Sequence, residues 1–61
     1  MTEYTLLLRD KQGNPFGARH TCTSIVEGCT VLGEFPDENG IPTKLEGTVI
    51  EILEINNLGV I

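Results

Sequence analysis

The sequence predicts a small all-β domain, and three observations carry that expectation. β-Branched and aliphatic residues crowd into one stretch, Gly47-Thr48-Val49-Ile50-Glu51-Ile52-Leu53-Glu54-Ile55. Shorter runs of alternating polarity precede it, and clusters of Gly, Pro, Asn and Asp separate those runs. A helix competes for the main stretch, because Leu45, Val49, Ile52 and Leu53 share one helical face. Four of the seven residues from Val49 to Ile55 are β-branched, however, and lose side-chain freedom in a helix. The stretch therefore reads as the central strand. Simple alternation puts Ile50 and Ile52 on one face and Val49, Leu53 and Ile55 on the other, with Glu51 and Glu54 out of phase. A strand of that kind calls for a bulge or a strong bend, as when one long strand serves two sheets.

The remaining elements follow in order. Glu3 to Asp10 reads as a first strand, with Tyr4, Leu6 and Leu8 on the buried face and Thr5, Leu7 and Arg9 on the other. Asp10 to Pro15 is a turn, since Gly13 and Asn14 tolerate positive φ and Pro15 cannot donate to a ladder. Phe16 to Thr23 returns as the second strand of a hairpin, with Gly17 marking a bulge or a close approach. Ser24 to Gly28 is ambiguous between strand and turn. Cys29 to Phe35 is a third strand, with Cys29, Val31, Gly33 and Phe35 on one face. Pro36-Asp37-Glu38-Asn39-Gly40 is the strongest turn signal, with Asn-Gly suited to a tight reversal. Ile41 to Leu45 gives a short edge strand containing Pro42, and Glu46-Gly47 turns into the central strand. Asn56-Asn57 turns again, and Leu58 to Ile61 supplies a short last strand. Five or six short strands fit one antiparallel, partly open barrel of the SH3-like or OB-like kind, with no major helix, over residues 1–61.

At 61 residues the chain is near the lower limit for folding alone. A core of that size supplies no more than about 3–5 kcal/mol. Aromatics are limited to Tyr4, Phe16 and Phe35, so the core is aliphatic. Aliphatic strands with little to cover them favour a homo-oligomer. The N-terminal stretch lacks a basic region and a long apolar run, and no stretch approaches the roughly 20 apolar residues that span a bilayer. The expectation is a cytoplasmic protein with reduced thiols and no membrane association.

The formal net charge is −5 and it is unevenly placed. Residues 1–26 carry three basic side chains against two acidic, whereas residues 27–61 carry Lys44 alone against seven acidic. Such a balance disfavours nucleic acid, whose affinity rests on phosphate neutralisation. It favours a protein partner of basic character. The candidate partner-binding face is Glu34, Asp37, Glu38, Glu46, Glu51 and Glu54. Their bland reading is a solvated surface that keeps the chain soluble. An alternative is an inhibitor, of the kind phages and mobile elements encode, whose acidic array imitates nucleic-acid charge. A second alternative is a nucleic-acid surface on the first hairpin, built from Arg9, Lys11 and Arg19 beside Tyr4 and Phe16.

His20, Cys22 and Cys29 are the metal-ligand types close in sequence. Structural zinc takes four ligands, usually in paired units, and a fourth is missing unless Glu27 or a second chain supplies it. A Cys22–Cys29 disulfide conflicts with a reducing compartment. A cysteine–histidine nucleophile needs a pocket of about 300–1,000 Å³, for which a domain of this size has little room. The sequence therefore points to a non-enzymatic interaction module, adaptor or inhibitor, with no cofactor and no metal.

Overall fold

The computed structural model describes residues 1–57. Four antiparallel strands form it: β1 (Thr2–Arg9), β2 (Pro15–Cys22), β3 (Thr30–Pro36) and β4 (Pro42–Asn57). They pair in a ring, β1 with β2, β2 with β3, β3 with β4, and β4 back to β1. Among the described residues there is no helix. The central stretch is thus a strand, as its β-branched residues require.

Among the described residues the strand count is four rather than the expected five or six, and the reason lies at Gly47. The expected turn at Glu46-Gly47 does not form, so the predicted fourth and central strands are one 16-residue β4. Gly47 is buried in mid-strand. A Cβ there would lie 2.9 Å from the Phe16 ring and 3.0 Å from Leu8 Cβ. The glycine makes room for a ring rather than reversing the chain. Asn56-Asn57 likewise continue β4 and end opposite β1, with Thr2 paired to Asn57. The expected last strand, residues 58–61, lies outside the described residues.

β4 serves both halves of the ring. Pro42 to Thr48 pair with β3, and Thr48 to Asn57 pair with β1. In its second half two register shifts occur, leaving Ile50 and Leu53 without partners on β1. Such bulges let one strand advance three residues while its partner advances two. Leu8, Leu6 and Tyr4 on β1 thereby face Val49, Ile52 and Ile55, while Leu7 and Thr5 face Glu51 and Glu54. The bulges resolve the phase conflict in the sequence: Val49 and Ile52 both reach the core, and both glutamates stay out.

The core consists of Tyr4, Leu6, Leu8, Ala18 and Val49, with Phe16, Cys22, Ile25, Cys29, Val31, Phe35 and Ile52 packed around it. Leu6 and Leu8 are fully buried. The rings of Phe16 and Phe35 meet at 5.7 Å between centroids, tilted by 58°, a favourable aromatic geometry. Gly33 is the second close approach, since a Cβ there would lie 2.5 Å from Leu8 Cδ1 and 2.6 Å from Ala18 Cβ. Gly17, in contrast, is neither a bulge nor a close approach. Its register with Leu7 is unbroken and nothing lies within 4 Å of its missing Cβ.

Both hairpins turn by the same device. In the first, Asp10 Oδ1 accepts the amides of Gln12 (2.9 Å) and Asn14 (2.8 Å), and Gly13 takes φ +86°. In the second, Asp37 Oδ1 accepts the amides of Asn39 (2.8 Å) and Ile41 (2.9 Å), and Gly40 takes φ +78°. Each is a three-residue loop with glycine in the left-handed region. The second is therefore longer than the tight Asn-Gly reversal that the sequence suggests. Between β2 and β3 the loop is pinned to β4: the Gly28 amide donates to Val49 O, and the Val49 amide donates to Cys29 O, each at 2.8 Å.

Candidate functional site

Two places on the molecule combine chemistry with access. The first is the seam between β2 and β3. These strands share a single paired position, Arg19 with Glu34. Next to it His20 Nδ1 lies 2.9 Å from Leu32 O, so the imidazole bridges strands whose backbones do not form a continuous ladder. Beside the bridge lies an open groove of about 330 Å³ lined by Arg19, His20, Thr21, Leu32, Glu34 and Lys44. Register sets a row of alternating charge across the strands: Glu54 opposite Thr5, Thr5 opposite Arg19, Arg19 opposite Glu34, Glu34 opposite Lys44. The groove mixes both signs and lies open to water, which weakens each charge.

The second is the outer half of β4. Glu51, Leu53, Glu54 and Ile55 are all exposed, with Leu53 and Ile55 at 52% and 59%. One edge of this segment pairs with β1. The opposite edge, which β3 and the Gly28–Cys29 loop occupy up to Val49, has no backbone partner beyond that point among the described residues.

The candidate acidic residues are distributed over these two places, the β3–β4 hairpin and its turn. Glu51 and Glu54 stand on the β1-paired half of β4. Glu34 and Glu46 stand on the β3–β4 hairpin, and Glu46 Oε1 lies 3.8 Å from Lys11 Nζ. Glu38 is exposed in the turn, whereas Asp37 is half-buried and holds that turn together. The basic residues of the first hairpin are partly engaged. Arg9 Nη1 donates to Gly13 O at 2.7 Å, Lys11 faces Glu46, and Arg19 lines the seam.

The structure places His20 and Cys22 on the inward side of β2, opposite Tyr4 and Thr2. Cys22 Sγ lies 3.2 Å from Ser24 O, and both cysteines are free and half-buried against the core. Among the described residues no three His, Cys, Asp or Glu side chains gather to hold a metal ion. No helix among them is long and apolar enough to cross a membrane.

Sequence reasoning called for a bulge or a strong bend in β4, and the two register shifts bear that out; it missed where the bulges fall, and it missed the bridging histidine. A signal for the first was present: threonine and glutamate recur at 48, 51 and 54, and aliphatic residues at 49, 52 and 55. That period of three belongs to neither a regular strand nor a helix, and two bulges produce it. Compared with protein-family models, with curated proteins and with solved structures, the chain matches none.

Proposed function

We propose that this chain is a non-enzymatic protein-interaction module, an adaptor or inhibitor, whose binding face is the acidic C-terminal half. The reading takes the ring as a small barrel, partly open at the β2–β3 seam, that serves as a rigid support. One observation supports it above the others. Among the described residues seven large apolar side chains are exposed, against five residues in the core. Five of the seven (Leu32, Ile41, Leu45, Leu53 and Ile55) lie in the half that also carries the acidic residues. Apolar side chains within a charged rim are the composition of a docking surface. Scattered singly they need no such account; what favours docking is that Leu45, Leu53 and Ile55 share β4 with Glu46, Glu51 and Glu54.

The test is the double variant Glu51→Lys/Glu54→Lys. Both side chains are exposed on the outer face, so circular dichroism and the urea midpoint should stay unchanged. Retention of a basic partner protein should fall by about tenfold or more, since like charges then oppose. Unchanged retention would reduce the carboxylates to a solvated surface. Native mass spectrometry of the same protein reports whether the chain self-associates.

A further inference from the structure

We propose that the edge of β4 from Glu51 to Asn57, which has no backbone partner among the described residues, binds its partner by strand addition, taking up an extended segment that carries Lys or Arg. The inference rests on the interaction-module reading and specifies its mode. A strand edge presents amides and carbonyls at a fixed spacing, and an added strand satisfies them together. The residues of this segment are exposed, with only Ile52 partly covered.

The occupant is decided by charge. Glu51 and Glu54 project from this segment, and the one ion pair among the described residues is Lys11–Glu46 elsewhere. A second copy of the chain would bring two more glutamates to the same short ladder, and four carboxylates so close together repel one another. The bulges at Ile50 and Leu53 twist the edge, a device that discourages copies from stacking edge to edge. The charge obstacle does not apply to a single extended segment with cationic side chains on the glutamate side and apolar ones toward Leu53 and Ile55, and a flexible segment can follow the twisted edge where a strand fixed in a second ring cannot. Cations there would be attracted rather than repelled, and the apolar pair would be covered.

The experiment uses the full chain labelled with ¹⁵N and a short capped peptide of alternating Lys and Val. A second peptide has the same sequence with alternate backbone nitrogens methylated, which keeps the charge and removes strand pairing. The expected result is saturable binding, amide-exchange protection of residues 51–57 rising about tenfold, and affinity falling about tenfold on methylation. Equal binding of both peptides would overturn the inference and leave an electrostatic contact. Shifts confined to residues 30–47 would overturn it too, while leaving an interaction module that works through the β3–β4 hairpin. Protection of 51–57 that rises with protein concentration alone would assign the edge to a second copy and equally overturn it. If the peptide is ignored yet the Glu51→Lys/Glu54→Lys variant loses a protein partner, the module reading stands and the strand-addition mode falls.

Discussion

Gly33 and Gly17 are identical in the sequence and opposite in consequence. A Cβ at Gly33 would fall inside the contact distance of Leu8 and Ala18, two buried core residues that cannot give way cheaply. Gly33→Ala should therefore destabilise the fold by about 1–3 kcal/mol. Gly17→Ala, with open space and ordinary strand φ, should be neutral or raise stability by about 0.4–1 kcal/mol. Urea unfolding of the two variants reads both, and a Gly33→Ala variant as stable as wild type would refute the packing account. This pair marks a limit of sequence reading at the residue scale. Alternation told which face Gly33 occupies, but how near Leu8 and Ala18 come depends on the ring bringing β1 and β2 across from β3. The acidic residues were legible only as a set: their exposure follows from charge, but the structural duty of Asp37 does not. Asp37→Ala removes the acceptor for two amides and should cost about 1 kcal/mol. Glu38→Ala in the same turn should cost nothing measurable, as thermal unfolding would show.

At the scale of elements, β1, β2 and β3 lie close to where alternation and turn chemistry put them, because their period is two. β4 was legible as a bent strand and illegible as a single one. Gly next to Glu reads as a turn when the neighbours are unknown, and only the Phe16 ring explains why the glycine is there. The period of three from Thr48 to Ile55 carried the bulges, yet a bulge is defined by its partner strand, which a sequence does not display. The weakest junction between elements is β2 with β3. There the His20–Leu32 hydrogen bond supplements one paired position. His20→Phe keeps a ring and loses the bond, so amide exchange at Arg19 and Glu34 should accelerate several-fold, equivalent to about 1 kcal/mol. Exchange at Leu6 and Leu8 should stay slow if opening is confined to the seam. A uniform acceleration would mean that the ring opens as one unit.

At the scale of the molecule, a ring of four strands around five buried residues has little stability in reserve. The large apolar side chains left outside mark where a partner could add to it. One further property comes from the pairing of Thr2 with Asn57. The first residue of β1 and the last of β4 lie side by side at one end of the ladder, so tension applied between them peels β1 from β4 one pair at a time. Tension between Thr2 and Thr48 loads the same ladder along its length, because Thr48 sits opposite Arg9 at the far end. Cysteine handles at the first pair of positions should rupture at clearly lower force in an optical trap than handles at the second. If the domain is held within a longer assembly through Thr2 and Asn57, it is a soft link that yields before shear-loaded neighbours and can close again when the load is removed.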